Sequence, residues 1–300
     1  MRNRLRIQIC SDLHLEIRGS HIPWTTFLKP VAPVLALAGD IGNPLKPEYT
    51  NFLTWCSNHW DAVFVIAGNH EFYGGSAAER LSACEDVAGQ LPNVHFLQQR
   101  HVDWNGVRFL GATLWTDLSD PVAASTAQRY MNDYRHIYQN GIPITPAIAN
   151  AWHQSDRAWL DREISASAEM GLPTVVLTHH LPSFSLIAER WTDHPVNVGF
   201  ASDCAELVRP PVRAWISGHT HIGVTCHQNG VIMAVNPVGY PSERGTGYCN
   251  ELFVEISTEN NSVDERLPEL MAAATDTADT AATTTEATKA VEEDDLVFLS

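Results

Sequence analysis

Five short apolar runs in this 300-residue chain each end in a cluster of carboxylate, amide or imidazole side chains. They are IQICSDLH at 7–14, VLALAGD at 34–40, VFVIAGNHE at 63–71, VVLTHH at 175–180 and AWISGHTH at 214–221. Continuously apolar runs of this length read as strands buried on both faces. Polar clusters at their ends would ride on loops held by a rigid sheet, where α/β proteins build binding crevices. Ionisable groups gathered at one sheet edge are costly unless something compensates them. Further strand-like runs fall at about 107–113, 231–235 and 249–256. The clearest helix is 146–170, with Thr145 as cap, Pro146 in the first turn and Gly171 at the end; Ile148, Trp152, Trp159 and Ile164 fall close to one face. Ser76-x-x-Glu79 is a capping box that opens a second helix, and shorter helices fit near 47–58 and 203–208. Strands alternating with helices make a layered α/β domain.

The clusters suit metal chemistry. In an extended segment, residues i and i+2 point the same way, so Asp12 with His14, and His219 with His221, each form a chelating pair. Glycines before Asp40, Asn69 and His219 allow close backbone turns near a ligand. Imidazole, carboxylate and amide donors without thiolate suit divalent Mn, Fe, Zn or Ni. Singly, an Asp-x-His or His-x-His is commonly a turn or an incidental pair. Five such clusters, each behind a strand, carry the weight.

Composition narrows the partners. The net charge of −16 and pI near 5.2 oppose an extended nucleic-acid groove or an anionic membrane surface. No apolar run approaches the ~18 residues of a membrane span, and Asp12 interrupts the basic start, so neither a span nor a signal peptide is expected. Six scattered cysteines without a C-x-x-C pair fit reduced core thiols in a cytoplasmic protein. From about residue 266 the composition changes. Fifteen of the twenty residues from Met271 to Ala290 are Ala or Thr, and residues 271–300 carry seven acids against one lysine. The expected organisation is a domain over 1–265 and a disordered Ala/Thr-rich acidic tail over 266–300.

As a set, the motifs D-x-H, G-D, G-N-H-E, H and G-H-x-H resemble those of the calcineurin-like metallophosphoesterase superfamily, over about residues 5–257. The resemblance implies an α/β fold that is a four-layer αββα sandwich, two mixed β-sheets flanked by helices, with a two-metal site at strand C-terminal ends. Carried over by motif, one divalent metal is held by Asp12, His14 and His221 and the other by Asn69, His179 and His219, with Asp40 bridging. His70 stands beside them as general acid or phosphoryl-oxygen stabiliser. His180 rivals His179, and the family's use of the first His after the strand favours His179. The implied activity is hydrolysis of phosphodiesters or small phosphate esters by a metal-held hydroxide. Two divalent cations against two carboxylates and a hydroxide leave the site weakly positive inside an acidic protein.

Departures from subfamilies narrow the substrate. Asp40 is followed by Ile41-Gly42-Asn43, so the Arg of protein phosphatases is missing, as is the acid that would pair with His70. Asn43 also replaces the Tyr ligand of purple acid phosphatases, and lipid A precursor hydrolases typically carry Arg where His70 stands. The expected partner is a small phosphate-ester substrate, with no membrane and no extended nucleic acid. A nuclease of the same superfamily, or an inactive scaffold of this fold, are the competing readings. The segment 115–145 is positioned to roof the site; within it Arg135 is a candidate phosphate grip or a partner of Asp133. Tyr240 and Arg244 follow the last motif closely enough to reach substrate. His194 and His227 read as non-ligands, and among the tryptophans Trp24 or Trp191 could stack on a base.

Overall fold

The computed structural model describes residues 4–18 and 22–259. The tail expected over 266–300 lies outside the described residues. Along the chain, strands β1 (Arg4–Cys10), β2 (Val34–Leu37), β3 (Ala62–Val65), β4 (Gly75–Ser76), β5 (Val94–Phe96), β6 (Arg100–Trp104), β7 (Val107–Ala112), β8 (Ile137–Gln139), β9 (Ile142–Pro143), β10 (Thr174–Thr178), β11 (Val212–Ser217), β12 (Val224–Gln228), β13 (Val231–Val235) and β14 (Phe253–Ser257) alternate with helices α1 (Pro47–Ser57), α2 (Ala77–Gly89), α3 (Pro121–Tyr130), α4 (Asp133–His136) and α5 (Pro146–Met170).

Two mixed sheets carry the fold. One has the order β14-β1-β2-β3-β5, the other β12-β13-β11-β10-β7-β6. In each, four neighbouring strands are parallel (β1, β2, β3 and β5; β13, β11, β10 and β7), and the antiparallel strands β14, β12 and β6 sit at the edges. A third, small sheet joins β4, β8 and β9.

Alternate residues of the central strands feed opposite faces, so these strands are covered on both sides. The inner faces meet through Ile7, Ile9, Val34, Ala36, Phe64 and Ile66 of the first sheet and Phe109, Val175, Leu177, Ala214 and Ile216 of the second. Phe64 and Phe109 stack across the interface at 3.9 Å between centroids. The outer face of the first sheet packs Leu35, Leu37, Val63 and Val65 against Phe52 and Leu53 of α1 and Val87 of α2. The outer face of the second packs Val176, Trp215 and Met233 against Trp159, Leu160 and Ile164 of α5. The result is the four-layer αββα sandwich.

Local signals act where the sequence places them. Ser76 accepts the Glu79 N–H and opens α2. Gly171 ends α5 in the left-handed conformation, at φ 65°. Thr145 takes the N-cap position of α5, but its side chain makes no capping hydrogen bond. The apolar stripe of α5 serves two clusters: Ile148 and Trp152 pack on the first-sheet side, Trp159 and Ile164 on the second. The stretch near 203–208 is a single 3-10 turn, Ala205–Leu207. Cys10, Cys56, Cys84 and Cys204 are buried core side chains.

Candidate metal centre

Each of the five clusters follows the C-terminal end of a parallel strand: β1, β2 and β3 in one sheet, β10 and β11 in the other. Parallel strands end on the same edge, so the fold gathers all five. The loops are held in unusual backbone conformations. Asp12, His14, Asp40, His219 and His221 have φ of 56°, 49°, 53°, 73° and 52°. Left-handed backbone at a non-glycine residue is strained by order 1–3 kcal/mol and persists only where surroundings enforce it. Five instances in one pocket mark a built site. Glycine is required beside them: a Cβ on Gly68 would overlap Asp40 Oδ1, and one on Gly39 would lie 2.6 Å from His179 Nδ1.

Asp12, His14, Asp40, Asn69, His179 and His219 are all buried. Ligand-type atoms converge in three groups, each within 4.8 Å: Asp12, His14 and His221; His14, Asp40 and His70; Asp40, His179 and His219. His180 is not among them; its Nδ1 lies 3.3 Å from the Thr113 carbonyl, its ring stacks on Trp115, and burial pushes its pKa down to about 3.

The partners behind each ring fix its lone pair. His14 Nδ1 faces the Glu16 carboxylate at 3.2 Å and His221 Nδ1 faces Glu243 at 2.8 Å. A carboxylate accepts, so both Nδ1 atoms carry hydrogen, and two Nε2 lone pairs then confront each other at 3.0 Å. His179 Nδ1 donates to the Ala38 carbonyl at 2.8 Å, which turns its Nε2 toward Asp40 Oδ2 at 3.4 Å and Asn69 Oδ1 at 3.0 Å. The Asn69 amide is oriented by Asp133, whose Oδ1 accepts from Nδ2 at 2.8 Å. His219 Nε2 donates to the Gly199 carbonyl at 3.2 Å and leaves Nδ1 as its donor atom. Acceptors therefore face acceptors, and only a cation between them removes the conflict.

From the protein's own charges that cation is a proton. Burial opposes it, but Asp40 lifts His179 to about 9, and Asp12 with Glu243 lifts His221 to about 10. His14 and His219 are lowered, chiefly by burial. Nitrogen and oxygen donors, no thiolate and second hydrogen bonds behind every imidazole fit borderline divalent metals.

The sequence profile of the calcineurin-like phosphoesterases matches residues 5–223. The chain belongs to that family. It is 30% identical over 226 residues to the uncharacterized protein L509 of Acanthamoeba polyphaga mimivirus, covering 70% of this chain and 79% of that one. Among solved structures, the phosphopantetheinyl hydrolase PptH of Mycobacterium tuberculosis is similar with a TM-score of 0.60 at 19% identity, over 78% of this chain and 89% of that one; at that identity the likeness is one of fold. Family membership and the His/Asp clusters support metal-dependent phosphoric ester hydrolysis in general. No helix of the described residues is long and apolar enough to cross a membrane.

The chain departs from the protein-phosphatase pattern in how it serves His70. The protein-phosphatase acid is missing, yet a carboxylate is present: Glu16 Oε1 lies 3.0 Å from His70 Nδ1. On the other side, Tyr240 Oη lies 3.0 Å from His70 Nε2. Both ring nitrogens of His70 are thus engaged by protein oxygens, and the oxygen on Nε2 is a phenol hydroxyl, not one of the carboxylate, amide or imidazole donors of the cluster. Burial would lower its pKa, but the Asp40 charge and the Glu16 hydrogen bond outweigh burial and raise it. The His70 backbone N–H also donates to Asp40 Oδ1 at 2.8 Å, leaving Oδ2 for the pocket.

Glu71, the last residue of G-N-H-E, has a structural task. Its carboxylate accepts backbone N–H groups from Gly68, Asp40, Ile41 and Gly42 at 2.7, 2.9, 2.7 and 3.3 Å. It ties the second loop to the third. Arg135, by contrast, is spent on the end of α3: its guanidinium donates to the carbonyls of Met131 and Arg129 at 3.2 and 2.8 Å. Trp24 packs edge-on against Phe52, and Trp191 lines a cleft beside the cluster. His194 Nδ1 accepts the Val196 N–H, and His227 is exposed.

Proposed function

We propose that this chain hydrolyses phosphate esters with two divalent cations: one held by Asp12, His14 and His221, the other by Asn69, His179 and His219, with Asp40 between. The observation that carries the reading is the confrontation of acceptors, His14 Nε2 with His221 Nε2 and His179 Nε2 with Asn69 Oδ1, each at 3.0 Å. When bound, divalent cations supply Lewis acidity to the phosphoryl oxygens and lower the pKa of an attacking water. Mn, Fe, Zn or Ni suits the donors.

The protein's own groups do the rest. Glu16, Glu243, Ala38 and Gly199 hold each imidazole in the tautomer that presents a lone pair. His70 keeps a proton on Nε2 for the departing ester oxygen, while Glu16 holds Nδ1–H and balances the imidazolium. The leaving alcohol takes the Nε2 proton and His70 ends neutral. Tyr240 holds the ring in place through Nε2 until substrate arrives.

Removing metal tests this directly. Protein stripped with a chelator is expected to lose all turnover of bis(p-nitrophenyl) phosphate and to regain it on adding Mn²⁺, with about two ions bound per chain at saturation. No turnover with Mn, Fe, Zn or Ni would leave the inactive scaffold as the reading. Asp133→Ala is expected to free the Asn69 amide and weaken cation binding by about 10–100-fold. Mn²⁺ titration by calorimetry reads this, and unchanged affinity would remove Asn69 from the ligand set.

A further inference from the structure

Two clefts flank the cluster. One, of about 410 Å³, is lined by Ile187, Trp191, Val196 and Phe200 together with His219 and His221. The other, of about 500 Å³, is lined by His70, Tyr73 and Tyr240. A single loop separates them. Tyr240, Pro241 and Ser242 wall the second cleft, while Glu243 to Thr246 wall the first. The loop is pinned over the site: Glu243 Oε2 contacts His221 Nδ1 at 2.8 Å and accepts the Tyr240 N–H at 2.6 Å. Rings join the two sides, with His14 4.4 Å from His70 and 5.0 Å from His221 between centroids.

A phosphoryl group seated over the cluster therefore has room on both sides. A monoester has one organic arm, and a diester has two. We infer that the substrate is a phosphodiester whose leaving arm lies in the His70–Tyr240 cleft and whose retained arm, an aromatic group, lies against Trp191, Ile187 and Phe200. This rests on the proposed hydrolysis at the same site, with the leaving arm assigned to the cleft that His70 and Tyr240 line and the retained arm to the opposite one. The walls differ as the two tasks require. The leaving side offers a proton and polar rings. The retained side offers aromatic and aliphatic surface, which grips a flat ring without chemistry. Exposed Arg190 and Arg244 border it, with the Arg190 guanidinium 5.7 Å from the Trp191 ring centroid. In a chain of net charge −16 they give that side a local attraction for an anionic diester.

Three substrates with one leaving group test it: p-nitrophenyl phosphate, methyl p-nitrophenyl phosphate and phenyl p-nitrophenyl phosphate. With metal-loaded protein, kcat/KM is expected to be highest for the phenyl diester, about tenfold above the methyl diester. Trp191→Ala is expected to reduce the phenyl-to-methyl ratio to within about twofold of unity. A preference for the monoester, or a ratio that Trp191→Ala leaves unchanged, overturns the inference. Should no ester turn over, the hydrolase reading fails by itself, and binding decides the cleft. Diphenyl phosphate that quenches intrinsic fluorescence in the parent protein but not in Trp191→Phe supports it; no quench in either overturns it.

Discussion

Asp40→Asn is expected to lower kcat for any phosphate ester by about 10³-fold or more. Asp40 belongs to two of the three groups of converging donors and lies between the two proposed cation seats, 3.8 Å from His14 Nε2 and 3.4 Å from His179 Nε2 through Oδ2. Its removal weakens both cation seats together. A cation at a phosphoryl transition state contributes several kcal/mol, and about 4 kcal/mol corresponds to 10³-fold in rate. Asparagine is the better variant than alanine. Asp40 sits at φ 53°, a region asparagine tolerates, and an amide oxygen can still accept the His70 N–H. The fold should therefore survive, with circular dichroism and the thermal midpoint close to the parent's. Bound metal, counted by mass spectrometry, should fall below two per chain. Near-normal turnover with full metal content would remove Asp40 from the centre.

The fold was readable where one strand carries its own signal. Strands β2, β3 and β13 are continuously apolar because both faces are covered, and β1, β7, β10 and β11 are mainly so, broken by Arg4, Arg6 and Gln8, by Arg108, by terminal threonines and by Arg213; all fall where the sequence places them. Edge strands lack that signal. Arg100–Trp104 and Val224–Gln228 each pair on one side only and keep polar residues, so neither stands out. Helix α3 did carry a signal, Asp120 before Pro121, and Asp120 accepts the Ala123 N–H at 2.8 Å.

The pocket divides in the same way. Its convergent donors stand on strand ends, so spacing within a few residues reveals them. The groups that orient those donors do not. Glu16 stands two residues from His14, but Asp133 meets Asn69 across 64 residues, Glu243 meets His221 across 22, and the second contact of Glu16, to His70, spans 54. No local periodicity encodes such contacts; they exist only after both sheets have closed. Glu71 shows the same gap. Its place in G-N-H-E is visible, but its hold on three amides of the 40–42 loop depends on β2 and β3 lying side by side.

His70→Ala carries the second large effect, and its size should depend on the leaving group. A positioned general acid contributes about 10²–10⁴-fold when the departing oxygen needs a proton. An alkyl ester needs one, so kcat should fall by about that factor. p-Nitrophenolate departs as an anion with little help, so the same variant should lose far less on p-nitrophenyl esters. Metal content should stay close to the parent's, because both His70 nitrogens face protein oxygens, Glu16 at 3.0 Å and Tyr240 at 3.0 Å. Glu16→Gln should show the same leaving-group dependence at smaller amplitude, since the imidazolium loses its balancing charge but keeps its position. Measured at saturating Mn²⁺, that dependence separates proton delivery from any loss of cation through the Glu16–His14 contact. A uniform fall for alkyl and p-nitrophenyl esters in His70→Ala, or a metal-free variant, would assign His70 to the cation centre instead.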